Sequence, residues 1–310
     1  VLPPTIEEVP AANEVCPLQP WEMKCKRIIV GFDFDAGSDM ALRVAASLAR
    51  WLKAEVTIVH SAQLPPTKAQ SSQALSDVLS HAMIATESLV VRAIRENGEF
   101  AVIPHKTHVG FKSPALLLAD VATDENGDLI IVGAHGRHGV GQLLLGSVSE
   151  SVLQNAPCPV LMIGPTCELQ GNALHRILFA TSLENTDLRA AQYAGRIAHG
   201  RKAHLYLMHV LDKKSPAENR QREWIEANCA EKLTRMLEPS DREKVSSEIV
   251  IAYGDPAQEV LAAAVARHVD LLVLGSGEHG ALSDHAPWRI LTEIVPHARC
   301  PILCVGNRAK

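Results

Sequence analysis

The chain carries one pattern twice, and that duplication limits its fold more than any other feature. Lys26–Asp33 (KRIIVGFD) has the same shape as His175–Ser182 (HRILFATS): a basic or polar lead, an apolar strand, then a turn. In the same register Ala54–His60 (AEVTIVH) falls on Ala203–His209 (AHLYLMH) without a gap. Further on, Asp128–Gly133 falls on Asp270–Gly275, and Cys158–Leu161 (CPVL) falls on Cys300–Leu303 (CPIL). A repeat this long is a whole folding module, so the chain reads as two like domains. Its 310 residues suit two domains that each bury a core. The expected division is a proline-bearing tail at 1–24, one domain at 25–166 and a second at 173–310, joined through the linker-like GPTCELQGN of Gly164–Asn172.

Each copy alternates strand and helix. In the first, strands are expected at Ile28–Gly31, Val56–His60, Phe100–Thr107, Leu129–Val132 and Val160–Ile163. Pro104 suggests an edge position for the third. Helices are expected at Met40–Leu52, Ala74–Arg95, Ala115–Ala122 and Ser147–Gln154. The first places Met40, Val44, Leu48 and Leu52 on one face; the second places Leu75, Val78, Leu79, Ala82, Leu89 and Ala93 inward. Pro114 suits the first turn of the third, and Val148, Val152 and Leu153 lie at core spacing in the fourth. Alternation of this kind implies an α/β fold: a doubly wound five-stranded parallel sheet with helices on both faces. Ligands of such sheets bind beyond the strand carboxyl ends, where the strand order reverses.

The stretch from Asp128 to Ile163 brings strand, loop, helix start and strand together at that edge. Leu129–Val132 is a continuous apolar run, as a strand buried on both faces should be. Gly133, Gly136, Gly139 and Gly141 crowd the loop after it, and Gly146-Ser147 opens a helix. Glycine lets backbone approach a ligand, and a helix N-terminus presents unpaired N–H groups to an anion. The arrangement reads as a phosphate cradle.

The spacing Gly133-x-x-Gly136, nine residues, then Gly146-Ser147 resembles the ATP-binding signature of the universal stress protein family. The flanking strands are similar too, and the likeness extends over nearly all of residues 25–306. The resemblance implies strand order 3-2-1-4-5 (an adenine-nucleotide alpha hydrolase-like sheet). It also implies antiparallel pairing of Val160–Ile163 with Ile302–Val305, an intrachain pseudo-dimer. Its implied ligand is an adenine nucleotide, ATP before ADP or AMP, with Mg as an optional companion. Asp33 matches the nucleoside-binding aspartate, although position alone favours a turn or N-cap residue. Gly31 and Val56 match the adenine pocket. Val132, Gly133, His135 and Gly136 match the first half of the signature, and Gly146, Ser147 and Val148 match its phosphate end. Family members often carry arginine where His135 stands; histidine is largely uncharged at neutral pH, so that triphosphate contact is expected to be weaker here.

The second copy departs from this pattern. In register, Gly136 becomes Glu278, Gly146 becomes Trp288, Ser147 becomes Arg289 and Asp33 becomes Ser182, with Pro287 beside them. Acid and bulk exclude phosphate, so one nucleotide site per chain is expected. Gly275-x-Gly277-x-x-Gly280 matches a dinucleotide fingerprint as a string, but it follows the fourth strand of its module and lacks the later acidic residue. His279, Asp284 and His285 read as surface residues rather than metal ligands, for want of a well-spaced third ligand. Cys300 and Cys304 read as buried thiols. Net charge of −5 without a basic run argues against nucleic acid, and no window of eighteen apolar residues suggests a membrane span. Seven cysteines without a framework spacing suit the reducing cytoplasm, and VLPPTIEEVP lacks the basic start of a signal peptide. The expectation is a cytoplasmic ATP-binding regulatory module of the stress response, without catalytic residues, read by an unknown protein partner and able to associate as a dimer of tandem chains. Two rivals stand beside it: a slow ATPase or nucleotidyl transferase, with His135 or His138 as its base, and a nucleotide-free scaffold.

Overall fold

The computed structural model describes residues 25–64, 71–134, 146–168, 174–212, 219–275 and 286–306. The expectations placed on the tail at 1–24, on His135, Gly136 and His138, on the 169–172 part of the linker, and on Gly277–His285 lie outside these residues. So do the side chains of Trp288 and Arg289.

The first repeat runs β1 (Arg27–Gly31), α1 (Ala36–Leu52), β2 (Glu55–Ser61), α2 (Ser72–Asn97), β3 (His105–Gly110), α3 (Pro114–Asp124), β4 (Leu129–Gly133), α4 (Ser147–Asn155) and β5 (Val160–Ile163). Its strands lie in the order β3-β2-β1-β4-β5, with every pairing parallel. The second repeat follows as β6 (Arg176–Ala180), α5 (Leu188–Arg201), β7 (His204–Leu211), α6 (Asn219–Met236), α7 (Pro239–Arg242), β8 (Ser247–Tyr253), α8 (Pro256–Ala266), β9 (Leu271–Gly275), α9 (Ala286–Ile294) and β10 (Ile302–Val305). Here β8, β7, β6 and β9 are consecutive and parallel. The chain separates into two compact units, one built on Lys24–Glu168 with Val295–Cys304, the other on Leu169–Ile294. Within the first, β10 lies antiparallel to β5, with Leu303 opposite Leu161, as the resemblance implies. This contact covers the backbone edge that β5 would otherwise leave open.

Continuous apolar strands are explained by burial on both faces. Ile28, Ile29, Ile58, Ile130, Ile131 and Met162 are fully enclosed in the first unit, and Ile177, Leu178 and Phe179 in the second. Small details are repeated with the fold. Asp128 Oδ2 accepts the backbone N–H groups of Lys26 (2.8 Å) and Arg27 (3.1 Å), and Asp270 Oδ2 accepts those of His175 (2.8 Å) and Arg176 (2.9 Å). His60 and His209 each donate from Nδ1 to a backbone carbonyl at 2.8 Å, Phe32 and Thr181 respectively. A carbonyl can only accept, so these rings carry their proton on Nδ1. Burial pushes the His209 pKa down, against the smaller pull of the Thr181 bond.

Several sequence expectations are corrected. α1 begins at Ala36 because Asp35, rather than Asp33, caps it: Asp35 Oδ1 accepts from Ser38 N at 2.7 Å, and Ser38 Oγ accepts from Asp35 N at 3.1 Å. Its buried residues include Ala41, Leu42, Val44, Ala45, Ala46 and Ala49; of the expected face Val44 is buried, while Met40, Leu48 and Leu52 are only half-buried, because small residues let the helix lie close to the sheet. β3 starts at His105; Phe100 and Ile103 are buried in the turns ahead of it, and the strand is at the edge as Pro104 suggests. α2 departs furthest. Only Val90 and Ile94 are buried, while Leu75, Val78 and Leu89 are exposed. Periodicity reports an apolar face but not whether a neighbour covers it. Among the described residues α2, at 26 residues, is the one helix long and apolar enough to cross a membrane by length and composition, which the absence of an unbroken apolar window did not lead one to expect.

All six described cysteines are buried thiols. Burial pushes Cys167 and Cys304 up to about 12 and raises Cys229 as well. The thiolate is the reactive form, so these groups are inert in the native state. Alkylation mapped by peptide mass spectrometry is therefore expected to leave all six unlabelled until denaturant is added; rapid native labelling of Cys167 or Cys304 would contradict the burial.

Candidate functional site

The parallel pairing of β1 with β4 places Val30 beside Ile131, so their carboxyl ends open side by side. Strand order reverses here: from β1 the chain proceeds outward to β2 and β3, then returns to β4 on the other side. Gly31, Asp33, Val132 and Gly133 all stand at this edge. Because β4 and β5 are parallel, the connecting α4 must run back along the sheet, which starts it on the carboxyl side. Gly146 is its N-cap, in extended backbone (φ −66°, ψ 147°) and without a side-chain capping bond, and Ser147 and Val148 form its first turn. Asp33 and Ser147 are exposed. Val148 is 44% exposed, which corrects its expected core role and leaves it beside the helix start. Glu150 lies in the same turn and interacts with the same positive helix end. None of the matched residues among those described is Lys or Arg.

Val56 does not join this group. It pairs with Ile28 and His105 at the amino end of β2 and is 1% exposed, making it a core residue. The carboxyl end of β2 is Val59, His60 and Ser61, with Phe32 N donating to Val59 O at 2.9 Å. At roughly 3.3 Å per residue, five positions displace Val56 from the edge by about 16 Å.

Gly133 has a packing role that the signature does not announce. A Cβ built there would come within 2.5 Å of the Gly37 carbonyl carbon, because the first turn of α1 crosses the end of β4. A Cβ on Gly31 would meet Leu118 and Val132 at 3.4 Å, a closer fit than most but without a backbone clash.

The second repeat shows what sequence reading missed. Asp187 is 4% exposed at the start of α5, in the register position of Ser38. Its Oδ2 accepts from Thr181 Oγ1 (2.6 Å), Ser182 N (3.0 Å) and Ser182 Oγ (3.0 Å). Its Oδ1 lies 1.9 Å from where a Cβ on Gly275 would be. A buried carboxylate thus occupies the β6–β9 edge, at the counterpart of the first repeat's site. The repeat register offered the signal, an acid in place of Ser38, but helix-start acids are common caps and carry no mark of burial. Among the described residues no group of His, Cys, Asp and Glu could hold a metal ion.

Comparison with known proteins agrees with this duplicated architecture. The model of the universal stress protein family matches residues 24–164 and again 173–306. A universal stress protein of Mycolicibacterium smegmatis is 25% identical over 294 residues, covering 91% of this chain and 97% of its own. The Coxiella burnetii universal stress protein A homolog 2 is 32% identical over 143 residues, 44% of this chain and 94% of its own length. The crystal structure of a universal stress protein from Archaeoglobus fulgidus superposes with a TM-score of 0.65 at 18% identity, covering 92% of this chain and all of that one.

Proposed function

The chain belongs to the universal stress protein family, and on that premise we propose that its first repeat binds one adenine nucleotide, ATP before ADP or AMP, as a cytoplasmic regulatory module. The observation that carries this reading is a contrast at equivalent edges. In the first repeat Asp33, Gly133 and the start of α4 at Gly146 lie on the carboxyl side of the sheet, where the strand order reverses. In the second that edge holds the buried carboxylate of Asp187. Negative charge already in place repels phosphate, so the two repeats divide: one for ligand, one for architecture.

Magnitudes say what such a site needs. Micromolar affinity requires about 8 kcal/mol. A helix terminus contributes roughly 0.3–1 kcal/mol, up to about 2 when partly buried. Covering an aromatic face of roughly 150 Å² adds about 4 kcal/mol. Neither the base nor the phosphates suffices alone, so both ends of the site must be filled together. A partner would then read the occupied state through its differential affinity for it. Calorimetric titration is expected to give one ATP per chain. Two sites, or none, would overturn the reading.

A further inference from the structure

Phe34 follows Asp33 at the carboxyl end of β1 with φ of +56°. Left-handed backbone is rare for a bulky side chain, and glycine occupies it without strain. The ring is also 47% exposed, so burial does not account for it. Yet it is held in place. Its centroid is 4.7 Å from that of Phe32, tilted by 58°, and 5.0 Å from that of His60, edge-on at 73°. His60 is itself fixed, 8% exposed and donating to Phe32 O. The ring is therefore fixed by two aromatic neighbours while much of its surface stays open, one residue from Asp33.

The second repeat separates what the fold requires from what the first repeat adds. Leu183, in the position of Phe34, has φ of +67°. The left-handed turn is thus inherited with the module, whereas the phenyl ring occurs only where Asp33 occurs. We propose that Phe34 is the stacking platform for the purine base of the nucleotide in the first repeat. The inference rests on the adenine-nucleotide reading above and deepens it. An aromatic face accepts a base at little entropic cost when its own rotamer is already fixed, as Phe32 and His60 fix this one.

Leu183 also supplies the control, because leucine is already accommodated in this turn. Phe34→Leu and Phe34→Tyr are compared with the unaltered protein for ATP and AMP binding by calorimetry, with thermal midpoints alongside. Base–aromatic stacking accounts for a loss of roughly ten- to a hundredfold on truncation. Phe34→Leu is expected to weaken ATP and AMP by the same factor in that range with its midpoint little changed. Phe34→Tyr, which keeps the ring face, is expected to stay within about twofold of wild type. Wild-type affinity in Phe34→Leu, or an equal loss in Phe34→Tyr, overturns the platform and leaves the nucleotide site standing. Failure of the unaltered protein to bind either nucleotide overturns both.

Discussion

Gly146→Trp is expected to abolish the proposed ATP binding and to leave the thermal midpoint close to that of wild type. Gly146 is the N-cap of α4, where the first free N–H groups of the helix emerge. An indole there takes the volume that phosphate oxygens would need. The second repeat carries Trp288 in this register position and its backbone still forms α9 from Ala286 to Ile294. Gly146 also has φ of −66°, a value open to any L-residue, so the substitution carries no backbone penalty. Losing the phosphate contacts from a site that needs about 8 kcal/mol in total moves micromolar binding beyond calorimetric detection. Calorimetry together with a melting curve checks both halves. Unchanged affinity would remove α4 from the site, and a collapsed midpoint would mean that Gly146 serves packing.

Gly133→Ala is expected to be strongly destabilising. Its Cβ would lie 2.5 Å from the Gly37 carbonyl carbon and 2.7 Å from the Gly37 oxygen. Both are backbone atoms in the first turn of α1, whose cap is tied by the Asp35–Ser38 bonds. The clash cannot be relieved by turning a side chain, so α1 must shift against β4. Overpacking of this kind costs about 1–3 kcal/mol, occasionally more. Gly200→Ala is the natural comparison. It lies in α5 with nothing within 4 Å of a new Cβ, and there the methyl should stabilise by about 0.4–1 kcal/mol. Urea midpoints of the two variants should move in opposite directions. If Gly133→Ala unfolds at the wild-type midpoint, the approach of α1 to β4 is looser than described.

The Gly133 result bears on how the signature is understood. A glycine matched to a nucleotide motif is here required by helix packing before any ligand arrives. Its counterpart Gly275 is required in the same way, facing Asp187 instead of Gly37. Persistence of this glycine in the repeat without a nucleotide-like edge follows from packing alone. Asp33 and Phe34 have no such requirement, since the second repeat places Ser182 and Leu183 there without loss of the turn.

Much of the fold was legible because its signals are local. β4 and β5 are apolar runs bounded by Asp, Gly and Pro, and their observed limits match the expected ones to within a residue. Pro114 at the start of α3 marked that helix, and the repeated Asp128 and Asp270 marked the strands that follow them. The sheet edge was legible where it depends on strand ends, as for Gly31, Asp33 and Val132. It was not legible for Val56, because a motif match carries no strand register and five residues of offset move a side chain from ligand edge to core.

By itself, the sequence determined that two α/β modules exist, where most of their strands and helices lie, and that Asp33, Gly136 and Gly146 of the first have no like residue in the second. Hydrophobic period and turn residues act over a few neighbours, so a chain read in one dimension contains them. Only the tertiary structure decided that Gly133 faces Gly37, that Asp187 is buried against Gly275, that α2 leaves its apolar face uncovered and that Phe34 rests on His60. Each of those depends on how closely two elements distant in sequence approach one another. That distance is set by packing, which no local pattern encodes.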